Sequence, residues 1–205
     1  MRIAIVVFDG FDELDAIGPY EVFRHAARRG ADLQVSLVTL ELTEEIVASG
    51  GLRLRPHGTL DGLAEAPDVL LIPGGPGTTA QEERGELPQV IRARHEDGTT
   101  VATVCTGAML AAAAGITAGR RATTHHAVLD ELRRRGADVV DARVVDDGDL
   151  VTSGGVTCGL DLALWLVERD FGAPLADAVA QSMAYQRSAA VVRAGGSSTL
   201  RAPAG

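Results

Sequence analysis

Nearly continuous apolar runs alternate with segments of helical periodicity along most of the chain. A strand buried on both faces of a parallel sheet has such an uninterrupted apolar run. The pattern predicts four of these strands, in RIAIVVF (2–8), LQVSLVTL (33–40), the start of DVLLIPGGPG (68–77) and TTVATV (99–104). The third strand leads into a glycine-rich loop, and the fourth leads directly into the alanine-rich CTGAMLAAAAG.

The segments between the strands have apolar residues at helical spacing and glycines where helices end. Residues 9–30 open with an acidic stretch, and Pro19 follows at a position typical of a first helical residue, with Gly30 as the stop. The pattern therefore predicts an acidic loop and then a helix that begins at Pro19. Further helices are predicted at 87–98, 105–115, 125–136, 155–172 and 173–186.

Two other segments predict short paired strands. Residues 45–60 indicate a hairpin or crossover with a Gly-Gly turn, and residues 137–155 indicate a strand pair that turns at Asp147 and Gly148. Strands and helices that alternate at these lengths are typical of layered α/β domains with right-handed crossovers. We therefore expect a flavodoxin-like three-layer α/β sandwich with a mostly parallel central sheet.

The length of 205 residues allows one good core, so we expect a single domain over residues 1–194. The last eleven positions, 195–205, are rich in Gly, Ser, Ala and Pro, and we expect a disordered tail there. With 46% hydrophobic, 23% charged and 3% aromatic residues, the composition favours a globular protein with an aliphatic core.

Charge and hydropathy argue against two kinds of binding partner, nucleic acid and membranes. A net charge of −9 argues against nucleic acid, because phosphate binding requires clustered Lys and Arg. No apolar stretch approaches the roughly 20 residues of a membrane span, and the N-terminus lacks a cleavage pattern. We therefore expect a cytoplasmic protein that does not bind membranes. Its two cysteines, Cys105 and Cys158, are expected to be free thiols.

Cys105 is the strongest candidate for chemistry because it lies where a strand gives way to a helix. Ligands of open α/β sheets bind at the carboxyl ends of the strands. A thiol at the start of a helix faces unpaired N–H groups, which favour the thiolate. Gly107 allows close approach of the backbone, as in a nucleophile elbow. The alternative is a buried structural cysteine, and that is our interpretation of Cys158, which lies on an apolar helix.

Two other loops at the same edge of the sheet carry candidate groups. In IPGGPG, the N–H of Gly75 is predicted to join that of Thr106 in stabilising a developing negative charge. In the acidic loop, a useful carboxyl group near a thiolate has to be protonated or bound to substrate or water. Asp15 is one candidate, but the residues alone do not separate it from its acidic neighbours, which we expect to face solvent: Asp9, Asp12 and Glu13.

The histidines offer less specific signals. His125 and His126 follow RATT at a predicted helix start, and either could supply an imidazole to a Cys–His pair. For His126 we favour a capping or surface role. The chain's histidines have no spacing typical of metal ligands, so no metal site and no cofactor are expected.

Five blocks, in this order, resemble the ThiJ/PfpI superfamily over roughly residues 2–170: ELDAIGPYEVF, LLIPGGPG, TVCTGAMLAAAAGI, GRRATTHH and VTSGGVTCGLDLALWLVER. The resemblance implies a single domain of the class I glutamine amidotransferase-like type, often dimeric, with a nucleophilic cysteine at a strained elbow. Within the superfamily, the chain is most similar to the isonitrile (isocyanide) hydratases, which have Leu-Asp-x-x-Gly-Pro in the first loop and Cys-Thr-Gly at the elbow.

By this resemblance Asp15, Cys105 and Thr106 match catalytic residues, and the N–H groups of Gly75 and Thr106 are donors to the substrate. His125 is a further substrate-binding candidate. The chain departs from the superfamily's proteases, which carry His directly after the cysteine where this chain has Thr106. Many chaperone, glyoxalase and deglycase members carry Glu in the first loop. At 126, the hydratase pattern has an aromatic residue where this chain has His126.

We therefore expect a lyase that hydrates a small-molecule isonitrile to an N-substituted formamide. In this hypothesis Cys105 attacks the carbon to form a thioimidate, while Asp15 protonates or orients the nitrogen and then directs water. One alternative is a cofactor-free glyoxalase-like enzyme acting on small dicarbonyls. The other is a redox-sensing or ligand-binding regulator without turnover. In each case a homodimer is expected.

Overall fold

The computed structural model describes residues 1–188 and 191–193. The strands are β1 Arg2–Val6, β2 Gln34–Thr39, β3 Ile46–Val47, β4 Arg53–Leu54, β5 Gly58–Thr59, β6 Val69–Ile72, β7 Thr100–Val104, β8 Arg121–Ala122, β9 Asp138–Val139, β10 Val144–Asp146, β11 Leu150–Ser153 and β12 Val191–Arg193. The helices are α1 Glu13–Arg28, α2 Gly77–Arg84, α3 Glu86–Glu96, α4 Gly107–Ala113, α5 Leu129–Arg134, α6 Cys158–Phe171 and α7 Ala173–Ser182, with a 3₁₀ helix at His126–Val128.

Within these residues the main sheet has the strand order β12-β10-β11-β7-β6-β1-β2-β5. From β11 to β5 all neighbours are parallel, whereas β10 is antiparallel to β11. Helices α1, α6 and α7 pack together on one face, and α2, α3, α4 and α5 pack together on the other. The structure therefore has the flavodoxin-like α/β architecture expected from the sequence, with a mostly parallel central sheet.

The apolar runs become the central strands because both faces of the sheet are covered. All of β6 is buried, and so are the last four residues of β7. The carboxyl ends of β1, β6, β7 and β11 meet at one edge, which brings together loops that are far apart in sequence. The hairpin β3–β4 and the turn at Asp147 and Gly148 are also confirmed.

The predicted start of the first helix is wrong. Helix α1 begins at Glu13, six residues before Pro19, which lies inside the helix. The side chain of Asp12 accepts a hydrogen bond from the N–H of Leu14 (3.2 Å) and thus caps the helix. Asp15 consequently belongs to the first helical turn and not to a loop, and this turn carries its side chain into the interior, where it is completely buried.

Other differences concern short elements. Helix α2 follows the glycine-rich loop although no periodicity indicated it, and the predicted helix 125–136 is divided between the 3₁₀ helix and α5. None of the helices in the described parts of the chain combines the length and apolar character needed to cross a bilayer. The tail prediction for 195–205 concerns residues outside the described ranges.

Candidate active site

Cys105 lies directly after β7 in a strained backbone conformation. Its φ of 57° is in the left-handed region, which costs a non-glycine residue roughly 1–2 kcal/mol. Hydrogen bonds hold the turn on both sides: the Cys105 N–H donates to the carbonyls of Gly154 (2.9 Å) and Ser153 (3.2 Å), and the Thr124 hydroxyl donates to the Cys105 carbonyl (2.8 Å). At Gly107 a Cβ atom would collide with the carbonyl oxygen of Ile72. The elbow predicted from the sequence is therefore present.

The carboxyl group of Asp15 lies beside this elbow. Its Oδ2 accepts a hydrogen bond from the N–H of Gly74 (2.9 Å), while Oδ1 is buried and has no hydrogen-bond partner within the described residues. Burial raises the pKa of Asp15 from 3.8 to about 7, although the Gly74 N–H and the Cys105 thiol act in the opposite direction. The carboxyl group is therefore protonated in a large share of molecules at neutral pH.

The resting thiol does not have the depressed pKa expected of a cysteine at a helix start. Burial, and then the charge of Asp15, raise the pKa of Cys105 to about 11. Cys105 is only 6% exposed, so the loss of hydration of a thiolate outweighs the nearby backbone donors. When Asp15 is protonated its charge disappears, and the second largest cause of the high thiol pKa disappears with it. Cys105 and Asp15 therefore titrate as a pair.

Two backbone N–H groups favour the thiolate, those of Val156 and Thr106. Val156 has a φ of 32°, which is unusual for a β-branched side chain and marks a strained backbone. The sequence reasoning missed Val156, since a donor that belongs to the backbone leaves no side-chain signature. The pair Gly154-Gly155 just before it was the available signal, because two glycines often accompany a close backbone approach.

Gly75 is close to Thr106, but its N–H is already engaged. It donates to the Thr106 hydroxyl oxygen (2.9 Å), and that hydroxyl lies 3.4 Å from the Gly75 carbonyl. Gly75 has a φ of 114°, and a Cβ atom there would clash with the backbone of residues 10–12. The two predicted donors are thus neighbours, with the Thr106 N–H directed to the sulfur and the Gly75 N–H to a side chain.

His125 borders the site, whereas His126 is exposed. A Cβ atom at Gly155 would lie 2.6 Å from Cδ2 of His125, and the rings of His125 and His126 are 4.2 Å apart. Burial and the neighbouring His126 lower the pKa of His125. Its Nδ1 accepts from the N–H of Ala127 (3.2 Å), so the neutral ring carries its proton on Nε2. In this form His125 can donate a hydrogen bond but cannot accept the thiol proton through Nε2.

The acidic neighbours of Asp15 are open to solvent, as expected, since Asp9 is exposed and Asp12 and Glu13 are only partly buried, but each also has a structural partner. Asp12 caps α1, and Asp9 Oδ1 accepts from the N–H of Val47 (2.9 Å). Glu13 Oε1 accepts from the N–H of Gly50 (2.7 Å). Cys158 is buried at the start of α6, in agreement with its interpretation as a core residue.

The sequence model that describes the DJ-1/PfpI family matches residues 1–169 of the chain. The chain belongs to the DJ-1/PfpI family. One family relative is an isonitrile hydratase from Pseudomonas putida, 37% identical over 187 residues, which cover 90% of this chain and 78% of that protein. A second is the deglycase TK1284 from Thermococcus kodakarensis, 26% identical over 75% of this chain and 89% of that protein. The family thus includes enzymes.

Solved structures of DJ-1/PfpI proteins have the same fold. A ThiJ/PfpI family protein from Pseudomonas syringae superposes with a TM-score of 0.83 at 29% identity, covering 91% of this chain and 76% of that one. DJ-1beta from Drosophila melanogaster superposes with a TM-score of 0.80 at 23% identity, covering 90% of this chain and 98% of that one. At the lower identity the likeness concerns the fold alone.

Proposed function

We propose that this DJ-1/PfpI protein hydrates an isonitrile to an N-substituted formamide, with Cys105 as the nucleophile. The observation that carries the proposal is the buried carboxyl group of Asp15, which has a raised pKa and an unpartnered oxygen beside the cysteine elbow. A group of this kind can deliver and take up protons near pH 7. The similarity to the Pseudomonas putida isonitrile hydratase supports the choice of substrate class.

In the first half of the reaction, the Cys105 sulfur bonds to the electrophilic isonitrile carbon. The thiol proton passes through Asp15 to that same carbon, which gives the thioimidate R–N=CH–S–Cys. The N–H groups of Val156 and Thr106 stabilise the sulfur as it gains negative charge. His125 donates a hydrogen bond from Nε2 to the substrate, and the N–H of Gly75 keeps the Thr106 hydroxyl in place.

In the second half, water adds to the thioimidate carbon and one water proton passes to the nitrogen. Asp15 directs this water and carries the proton. The carbon–sulfur bond then breaks, the remaining hydroxyl proton returns to the Cys105 sulfur, and the formamide R–NH–CHO leaves. The sum is the addition of one water molecule to the isonitrile, so the chemistry needs no oxidant, reductant or metal.

The first experiment compares Cys105→Ala with Cys158→Ala, using p-nitrophenyl isocyanide as substrate. We expect Cys105→Ala to lose hydration entirely and Cys158→Ala to retain it, because Cys105 hydrogen-bonds to Asp15 and lies at the elbow, whereas Cys158 lies on α6. The thioimidate is detected as a mass increase on Cys105 equal to the mass of the isonitrile. Hydration by Cys105→Ala at the rate of the unmodified protein would contradict the proposal.

A second candidate is a glyoxalase-like activity on small dicarbonyls, which the deglycase relatives favour. Here the Cys105 thiol adds to an aldehyde carbon to form a hemithioacetal, and Asp15 supplies the proton to the oxygen. Turnover of methylglyoxal without turnover of isonitriles would select this reaction. The redox-sensor alternative is less well supported, since burial raises the pKa of Cys105.

We further propose that the protein is a cytoplasmic homodimer that binds neither nucleic acid nor membranes. The proposed dimer surface includes Leu14 on α1, which is 37% exposed, and the half-buried Leu160 on α6. Both side chains lie over the buried Gly18, so Leu14 and Leu160 form one apolar patch. A partner subunit on this patch would close the site from outside.

A further inference from the structure

A pocket of about 400 Å³ lies behind the cysteine elbow. Two of its wall residues, Thr124 and Gly154, are the residues that hydrogen-bond to the Cys105 backbone. A third, His126, has its ring 4.2 Å from that of His125 at a tilt of 36°, and His125 borders the proposed reaction site. The pocket therefore lies next to the proposed reaction site and shares residues with the elbow.

The pocket contains a guanidinium group that is held in place before any ligand binds. Arg143 donates from Nε to Asp161 (2.7 Å) and directs Nη2 to the hydroxyl groups of Thr157 (3.3 Å) and Tyr185 (3.4 Å). Within the described residues nothing accepts from Nη1, and the side chain is 38% exposed. A rigid guanidinium group with a free pair of N–H donors loses little conformational entropy when it binds a ligand.

The carboxylate that neutralises Arg143 has little capacity left for a ligand. Asp161 is 4% exposed, and its Oδ2 also accepts from the Tyr185 hydroxyl (3.1 Å) while Oδ1 accepts from the N–H of Ser188 (2.9 Å). The other acidic group of the pocket is Asp141, an exposed residue without an ion pair in the described parts of the chain. The part of the pocket near Arg143 thus offers hydrogen-bond donors. The negative charge of Asp141, which would repel an anionic ligand, is exposed to water and screened by it.

We propose that this pocket is a carboxylate-binding subsite and that Arg143 selects substrates whose substituent carries a carboxylate. The selection of an isonitrile rests on the proposed function, whereas the binding of a carboxylate does not. Free guanidinium N–H groups pair with carboxylates through charged hydrogen bonds, which are the stronger kind. A pocket of this volume is large enough for an aromatic acid.

The binding test uses the full chain with Cys105→Ala, so that no turnover interferes, and compares benzoate with the neutral benzamide by calorimetry. We expect benzoate to bind about tenfold more tightly, the effect of one charged hydrogen bond. Arg143→Lys should reduce this preference while it retains a positive charge for Asp161, and circular dichroism will verify its fold. Asp141→Asn should increase the preference, because Asp141 is the acidic residue that lines the described pocket together with Arg143.

Equal binding of benzoate and benzamide, or a preference that neither substitution changes, would overturn the subsite. The Asp141→Asn variant keeps this conclusion independent of the fold of Arg143→Lys, because Asp141 is exposed and forms no ion pair within the described residues. A role of Arg143 in folding alone would not make the benzoate preference respond to residue 141.

The kinetic test compares 4-isocyanobenzoate with 4-isocyanobenzamide. We expect a lower KM for the carboxylate at similar kcat, and a smaller ratio of the two KM values in Arg143→Lys. Hydration of both compounds with equal KM would overturn the substrate selection and leave the proposed function standing. Arg143-dependent benzoate binding without hydration of any isonitrile would support the subsite and overturn the proposed function.

Discussion

The pairing of a buried carboxyl group with a buried thiol accounts for the protonation state of the site. Burial raises the pKa of both groups, and the charge of Asp15 raises that of Cys105 further, whereas the Cys105 thiol lowers the pKa of Asp15. Neither has an oppositely charged side chain among the causes of its pKa shift. The pair therefore holds a proton at neutral pH that an exposed aspartate would have released. This retained proton is what the proposed hydration uses.

The raised pKa of Asp15 has a consequence for stability. The folded protein holds the carboxyl proton up to about pH 7, whereas the unfolded chain releases it near 3.8. Between these values the folded state binds more protons, so the free energy of unfolding falls as pH rises, by at most about 4 kcal/mol. An asparagine side chain does not titrate. We therefore expect the free energy of unfolding of Asp15→Asn, relative to that of the unmodified protein, to increase between pH 4 and pH 7, as measured by urea denaturation.

The comparison is best made with Cys105→Ala in both proteins, because this removes the coupled thiol. Above pH 7 the stability difference should become constant, since the folded-state carboxyl group is then ionised. Parallel stability curves for the two proteins across this range would mean that Asp15 does not retain its proton on folding.

The Thr106 hydroxyl has a role that valine cannot perform. It accepts the hydrogen bond of the Gly75 N–H, which is partly buried. We expect Thr106→Val to lose about 1–3 kcal/mol of stability, the cost of an unsatisfied donor, together with part of the hydration activity. Thr106→Ser retains the hydroxyl and should retain most of both. Urea denaturation and kcat/KM measure the two effects, and equal values for the Val and Ser variants would refute this role.

Among the helices and strands, α1 does more than pack against the sheet. Its first turn presents Asp15 to the elbow and Glu13 to the β3–β4 hairpin. Glu13 Oε1 accepts from the N–H groups of Gly50 (2.7 Å) and Leu52 (3.4 Å), so one helical turn connects the hairpin to the site. These backbone bonds contribute to lowering the pKa of Glu13, although burial acts in the opposite direction.

We expect Glu13→Ala to loosen the hairpin because its turn loses an acceptor for two N–H groups. The measurement is amide hydrogen exchange, in which Gly50 and Leu52 should lose protection while the strands of the main sheet keep theirs. Glu44→Ala is a matched control, since Glu44 is exposed and belongs to the same segment. Unchanged exchange at Gly50 in Glu13→Ala would show that the hairpin is held by other contacts.

For the chain as a whole, the single-domain prediction for residues 1–194 and the homodimer both remain predictions. The strands of the main sheet all lie in the described part of this range, and the apolar patch of Leu14 and Leu160 remains partly exposed. A dimer through this patch would place the two proposed active sites near the interface. Exposed apolar patches beside functional clefts often mark such contacts.

We expect light scattering after gel filtration to give about twice the chain mass of 21.3 kDa. Leu14→Glu should shift the protein toward the monomer mass with little loss of folding stability, because residue 14 is already 37% exposed. Leu42→Glu is a matched control, since Leu42 is 88% exposed and lies outside the patch. A monomer mass for the unmodified protein would contradict the dimer.

The sequence was sufficient for the central parallel strands β1, β2, β6 and β7 and for the strand-to-helix elbow at Cys105, but not for the edge strand β12. Apolar runs and helical spacing are local patterns, and they report directly which residues a strand or helix buries. The same local reasoning placed the start of α1 at Pro19, because it weighed the proline at a first helical position and missed the cap at Asp12. That error put Asp15 in a loop.

The chemistry of the site depended on contacts between distant segments. The residues alone did not choose Asp15 over its neighbours; its complete burial beside Gly74 does. A helix start favours a thiolate, but burial and the Asp15 charge outweigh that effect at Cys105. The Val156 N–H reaches the sulfur only because β11 lies beside β7. The loss of surrounding water and the effect of nearby charges both depend on which groups are close in space. The pKa values of this site therefore follow from the folded arrangement and not from the order of residues.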